Sequence, residues 1–285
     1  MKSKLELTQR YWLIELLAWW EGRVCTSHLI KHMALGRGQA QADLASYQKL
    51  YPRQLQLDAS IKGFRPTADF CCQLISGDVV EYLNWLSLSQ QTYLEISSDR
   101  ESTQWPFFAL TLPARPIEPS LIRILVQAMR KQLRVDLAYL SLSNPTAEGR
   151  IIAPHHFVRT GLRWHVRGYD EKHRQYRDFV LSRFRGDAEL LDKSEFGAAQ
   201  DPGWQTQLEI QLTPDPRLST AQQQVIAEDY RLTDGMLRLP TRACLAQYLL
   251  QEMQVSLKPE QHSPESQQLV LHNQAELAPW LFSQR

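Results

Sequence analysis

Apolar residues in the first twenty positions fall on one helical stripe. In LELTQRYWLIELLAWWEG they are Leu5, Trp12, Leu13, Leu16, Leu17 and Trp20, and Gly22 supplies a C-cap. Thr26 and Ser27 then offer an N-cap to a short helix, HLIKHMA, with Leu29, Ile30 and Met33 inward. A tight LGRG turn leads into a third predicted helix, QAQADLASYQKLY, which Pro52 ends. Its apolar side is Ala40, Leu44, Tyr47 and Tyr51.

The other side of that third helix carries Gln39, Gln41, Ala42, Ala45, Ser46 and Lys49, with no large apolar group. A helix entering a DNA major groove needs small residues for close approach. It needs amides or cations for base edges, and hydroxyls for phosphates. Asp43 lies at the edge of this face and reads as a structural charge. The following stretch, PRQLQLDASIKGFRPTADF, alternates and turns through Ser-Ile-Lys-Gly like a two-stranded wing, with Lys62 and Arg65 near its tip. Three helices and a wing predict a winged helix-turn-helix whose third helix is the reader. The competing reading is a three-helix bundle with a polar outer face.

Further along, LISGDVVEYLNWLSLSQ predicts an amphipathic helix with Val80, Leu83, Trp85 and Leu86 inside. The Pro-rich run at 112–119 marks a boundary. SLIRILVQAMRKQ predicts a connecting helix with Ile122, Leu125, Val126 and Met129 inward. The period then changes to two: RVDLAYLSLS, RIIAPHHFVRTG, LRWHVRGYD and YRDFVLSRFRG read as four strands of a small β-barrel. WQTQLEIQL and GMLRLP read as strands. LSTAQQQVIAEDY reads as a helix capped by Ser219 or Thr220, and TRACLAQYLLQEM as a helix with Cys244, Leu245, Tyr248 and Leu249 inward.

Charge alters this picture at two places. The net charge is only +1, yet residues up to Arg65 hold ten Lys/Arg against five acids, and those from Asp187 onward hold seven against fourteen. A basic head can approach a polyanion that the tail repels. Within GLRWHVRGYDEKHRQYRDFVLSRFRG, Arg163, His165 and Arg167 share one face, and Arg177, Phe179, Leu181 and Arg183 another. Two arrangements fit. The cations converge on a phosphate-bearing or nucleotide-like ligand beside aromatic rings, or they pair with Asp170, Glu171, Asp178 and acids of the tail. No apolar run reaches the length of a membrane span. The four cysteines, Cys25, Cys71, Cys72 and Cys244, have no metal-ligand spacing and read as reduced thiols of a cytoplasmic protein.

IAPHHFVRTGLRWHVRGYD and YRDFVLSRF resemble the WYL domain, whose Trp-Tyr-Leu motif here reads Trp164-His165-Val166. GRGQAQADLASYQKLYP and the tail resemble the WYL repressors found beside BREX and CBASS anti-phage systems, so the likeness covers nearly the whole chain. The resemblance implies an α+β multidomain protein: a winged helix-turn-helix at 1–70, a helical linker region at 71–132, an Sm-like small β-barrel WYL domain at 133–192, and a C-terminal α/β dimerisation extension at 193–285. It implies a homodimeric repressor on an inverted repeat of double-stranded DNA upstream of a phage-defence operon, released by a nucleotide or oligonucleotide effector. On this reading Arg23, Thr26, Ser27, Arg37, Gln39, Gln41, Ala42, Ser46, Lys49, Lys62 and Arg65 meet DNA. Tyr139, Ser141, His155, His156, Arg159, Trp164, Arg167 and Arg183 line the ligand pocket. No cofactor or metal is expected.

The rivals are an activator, a single-strand or RNA-binding module, and a nuclease or phosphodiesterase using His155, His156, His173 and Asp170. The sequence speaks against catalysis. It has no P-loop, no GxSxG and no suitably spaced carboxylate pair, and strand alternation sends adjacent His155 and His156 to opposite faces.

Overall fold

The computed structural model describes residues 4–96, 113 and 115–282. Part of the expected linker, 97–112, and Ala114 of the Pro-rich run lie outside the described residues. The chain forms two compact units, Met1–Thr111 and Leu112–Arg285. The stretch 71–132 is divided between them, because Phe70 and Ile75 join the core of the first and Leu121, Leu125 and Ala128 that of the second.

The first unit is built on helices α1 (Lys4–Glu21), α2 (Thr26–Met33) and α3 (Arg37–Leu50), followed by strands β1 (Leu55–Asp58) and β2 (Gly63–Pro66). Leu13, Ile14, Leu16 and Leu17 of α1 are wholly buried, whereas Leu5, expected in the stripe, is exposed one turn beyond the core. Gly22 takes φ +67, the left-handed conformation that closes α1 without a Cβ penalty. Helix α2 departs from expectation at both ends. Its N-cap is Cys25, with no side-chain cap bond, and Thr26 and Ser27 lie in its first turn. Ile30 is exposed while Leu29 is buried, since an eight-residue helix presents only a narrow stripe to the core. The wing pairs Leu57 with Phe64 and Gln56 with Arg65. Val24 adds a third strand to it, exchanging 2.8 Å backbone bonds with Phe64 in both directions.

Helix α4 (Val79–Ile96) keeps Trp85 inward as expected but otherwise turns a different face to the core. Tyr82 and Trp85 pack on the head core, while Val80 and Leu83 are exposed. Two features set this register. Residues Leu74–Gly77 are not helical, and Asp78 accepts from the Val80 N–H, starting the helix late. An aromatic ladder then runs Trp20–Tyr82–Trp85, with centroids 5.7 and 5.9 Å apart.

In the second unit, α5 (Pro119–Lys131) buries Leu121, Leu125 and Ala128 against the sheet. Each fully buried Leu contributes about 1.5–3 kcal/mol. Five antiparallel strands follow: β3 (Leu133–Tyr139), β4 (Glu148–Thr160), β5 (Arg163–Asp170), β6 (Gln175–Val180) and β7 (Phe184–Lys193), in the order β6-β5-β4-β3-β7. The expected single fourth strand is therefore two, broken by a 3₁₀ turn at Leu181–Arg183. That break brings the two edge strands of the sheet, β6 and β7, round toward each other. Four strand spacings of about 4.8 Å would put β6 and β7 roughly 19 Å apart in a flat sheet. The short turn between them spans at most about 15 Å, so the sheet must curl. The Leu140 N–H bonds to the Arg183 carbonyl at 3.0 Å, carrying the β3–β7 pairing one step beyond Tyr139 and Phe184.

A short helix α6 (Pro202–Gln205) then precedes a second sheet of β8 (Gln207–Pro214), β9 (Leu237–Arg242) and β10 (Leu269–Leu271), ordered β10-β8-β9. Helix α7 (Thr220–Asp229) is capped by Ser219 in a capping box with Gln222. Helix α8 (Ala246–Glu252) follows a 3₁₀ turn that rotates its register. Ala243, Ala246, Gln247 and Leu250 are the buried positions; of the expected inward residues Leu249 packs against the core, while Cys244, Leu245 and Tyr248 are half-buried.

Candidate functional site

Helix α3 has two unlike sides. Ala40, Leu44 and Tyr47 are buried, with Tyr51 packed beside them. Arg37, Gly38, Gln41, Ala42, Ala45, Ser46 and Lys49 are exposed. Asp43 is buried and forms an ion pair with Arg10 at 2.8 Å, so it is a structural charge. Gln39, expected on the reading face, is half-buried and donates to Asp43 at 2.7 Å. Its amide is oriented along the helix, which leaves Gln41 as the exposed amide. Beneath α3 the buried Glu15 carboxylate accepts from the Tyr47 hydroxyl at 2.9 Å and from the Leu74 N–H at 2.8 Å. Burial first, and then Glu15, push the Tyr47 phenol far above its ordinary pKa.

Around this flank, Lys62 and Arg65 are exposed on the wing, and Arg65 lies 3.5 Å from Asp58. Arg23 reaches the Lys62 carbonyl at 3.5 Å and so braces the wing tip. Ser27 is exposed at the start of α2, with Thr26 half-buried beside it.

The eight expected ligand residues do not share one pocket. Arg167 is buried in an ionic network: its fork meets Asp201 at 2.6 and 3.0 Å, and its third nitrogen meets Asp178 at 3.1 Å. Burial works against this cation, but its hydrogen bonds to Asp201 and the charge of Asp178 outweigh it and raise its pKa. Burial likewise disfavours the Asp201 anion, yet His155 and Arg167 hold its carboxyl down at about 2. Arg150 pairs with Asp170, and Arg134 with Glu171. Of the cations in the 161–186 stretch, the internal-pairing alternative thus holds for Arg167, with Arg177 at 4.0 Å from Asp170, while Arg150 and Arg134 from outside the stretch take Asp170 and Glu171.

His155 and His156 contradict the expectation of opposite faces. The β4–β5 register shifts between Pro154 and His156, and this bulge brings their Nδ1 atoms to 2.7 Å. Gly168 lies opposite the bulge, where a Cβ would meet the Ala153 carbonyl at 2.6 Å. With His155 Nε2–H donating to Asp201 at 3.1 Å, a neutral His155 must accept at Nδ1, so His156 donates. His156 stacks on Trp204, which also meets His155 edge-on at 5.5 Å and has the Arg242 guanidinium 4.5 Å from its ring centroid. His173 is elsewhere, bonded to Asp170 at 2.6 Å. Among the described residues, no group of three or more His, Cys, Asp or Glu is placed to hold a metal ion.

A basic cavity does form beside the β4–β5 turn. Arg163, His165 and Arg183 line a space of about 400 Å³ together with Tyr139. Arg115, Arg159 and Trp164 line an adjoining one that shares Thr160–Arg163. Ser141 lies apart, in a turn with Asn144. Among the described residues no carboxylate pairs with Arg115, Arg159, Arg163 or Arg183. Arg115 and Asp201 escaped sequence reasoning, although the Asp-Pro step at 201–202 signals a helix cap, and His165, placed on the cationic face, is absent from the expected ligand set.

His165 is 3% exposed, and burial, then Arg163, Arg183 and Arg115, push its pKa down to about 4. An unfolded histidine takes a proton near pH 6.5. Its contribution to stability is therefore complete above pH 6.5 and declines as the pH falls toward about 4. Urea midpoints measured between pH 7 and 4.5 should fall less steeply for His165→Phe than for the unmodified chain. Equal slopes would refute the assignment.

Three family models match the chain. The BrxR transcriptional regulator winged helix-turn-helix domain matches residues 6–88, the WYL domain 120–188, and the BrxR transcriptional regulator C-terminal dimerization domain 207–277. The chain is 31% identical over 261 residues to the DNA-binding transcriptional repressor CapW of Escherichia coli (strain KTE188), covering 90% of this chain and 86% of that one. The CapW of Pseudomonas aeruginosa is 29% identical, with the same two coverages, and that of Stenotrophomonas maltophilia 25%, covering 95% and 91%. A solved structure of proteasome accessory factor B/C of Arthrobacter aurescens aligns with a TM-score of 0.28 at 15% identity, over 98% of this chain and 48% of that one. Among the described residues no helix is long and apolar enough to cross a membrane.

Proposed function

This chain belongs to the CapW and BrxR family of WYL-domain transcriptional repressors, and on that premise we propose that it is a sequence-specific repressor acting as a homodimer. Two α3 helices enter successive major grooves of an inverted repeat upstream of a phage-defence operon. The observation that carries this reading is the exposed flank of α3, where Ala42 and Ala45 lie between Gln41 and Ser46. The C-terminal extension joins the subunits. A nucleotide or oligonucleotide effector enters the barrel through its basic cavity and favours a dimer geometry that no longer matches the half-site spacing. The effector shifts that equilibrium only by its difference in affinity for the two states.

Arg37, Lys49, Lys62 and Arg65 supply phosphate contacts in each head. Eight cations in the dimer give a slope of about −7 for log affinity against log salt. Lys49→Ala, which removes two cations from the dimer, should bring it to about −5. A titration of salt against a duplex carrying the operator tests this, and a slope near zero would refute the interface.

A further inference from the structure

The basic cavity has an occupant of its own at its edge. Glu252, the last residue of α8, lines it together with Arg163, Arg183 and His165. Its carboxylate accepts a hydrogen bond from the Gly161 N–H, in the turn that joins β4 to β5. A helix C-terminus carries partial negative charge and favours cations, so a glutamate there is intrinsically misplaced. What compensates it is the turn amide, with the Arg163 and Arg183 guanidinium groups lining the same cavity without forming an ion pair with it. The other carboxylate in the lining, Asp178, is already committed to Arg167 and to the Tyr248 hydroxyl. The Nδ1 of His165 has no hydrogen-bond partner among the described residues. The cavity thus holds an excess of donors and cations over anions, and Glu252 occupies one anion position at its mouth.

We propose that Glu252 is a built-in competitor for a phosphate-bearing ligand, which enters between Arg163 and Arg183, displaces the carboxylate from the Gly161 amide and frees the end of α8. Arginine forks match phosphate oxygens in geometry and charge. Backbone N–H groups in a turn are ordinary anion partners. Release of Glu252 reaches the C-terminal extension directly, because Ala246 and Leu250 on the same helix are buried in its core. The inference rests on the barrel being the effector-sensing part of the protein, and it names the residue that couples that cavity to the extension.

Two variants remove the competitor by different routes. Glu252→Gln keeps an oxygen that can accept from Gly161 but deletes the charge. Gly161→Ala leaves Glu252 intact and sets a methyl where its carboxylate now lies. The backbone at Gly161 is outside the left-handed region, and the clash falls on the end of a flexible side chain, so the chain can fold around it. The probe is pyrophosphate, titrated into the full-length protein by calorimetry at fixed ionic strength. Both variants should bind it about tenfold more tightly than the parent, and Arg183→Ala about tenfold more weakly. Unchanged or weaker binding in both competitor variants overturns the proposal, as does an absence of pyrophosphate binding in every protein. Duplex binding without pyrophosphate is measured in parallel and should stay within about twofold in Glu252→Gln, which keeps the Gly161 bond, and weaken in Gly161→Ala, which expels the carboxylate as the ligand would. Its loss in the parent would strike the repressor reading and leave the anion result standing.

Discussion

Ala42→Phe should leave the unfolding transition where it is and abolish operator binding. Ala42 is exposed on α3 between Gln41 and the Ala45–Ser46 pair, so a larger side chain meets no protein atom it must displace. Surface substitutions of this kind change stability by no more than about 0.5 kcal/mol. In a major groove the same ring would hold the helix away from the base edges. Two base contacts of about 1–3 kcal/mol each are then lost from each head, and affinity falls by on the order of a hundredfold or more. Thermal melts and operator titrations on the same preparation check the two halves. A variant that melts normally and still binds its operator would take α3 out of the interface.

Asp43→Ala should show the reverse pattern, with loss of the fold itself. The Arg10–Asp43 pair has side chains 8% and 4% exposed. Removing the acid leaves a buried guanidinium without its countercharge, which costs about 3–5 kcal/mol. Gln39 loses its acceptor in the same step, so the first turns of α3 lose the contact that fixes their amide. Replacing both partners, as Arg10→Met with Asp43→Leu, should recover most of the stability, because an apolar pair of similar volume bears no desolvation penalty. Urea unfolding followed by circular dichroism measures both. A loss below about 1 kcal/mol in Asp43→Ala would mean the pair is solvated.

What the sequence made legible was what local spacing decides. The inner side of α3 is set by a period that its own residues carry, and Ala40, Leu44 and Tyr47 are buried as that period requires. The capping box at Ser219 and the left-handed Gly22 are equally local. The errors arise where a distant partner decides. Helix α4 turns Tyr82 rather than Val80 and Leu83 to the core because Trp20 stacks on it, and no period within α4 contains that information. Arg167 was read as a ligand contact, but Asp201, thirty-four residues away, holds it. His155 and His156 meet because Gly168 on the neighbouring strand lets the bulge form. The chemistry of the head could therefore be read from one helix, whereas that of the barrel depends on which of its arginines the fold had already neutralised.

Hydroxyl-radical footprinting of the purified protein on the DNA flanking its own gene tests the shared flank most directly. The account predicts two protected half-sites, related by inversion and centred one helical turn or a multiple of it apart, both lost together in Ala42→Phe. Protection that survives Ala42→Phe, or that covers a single site with no inverted partner, would contradict it.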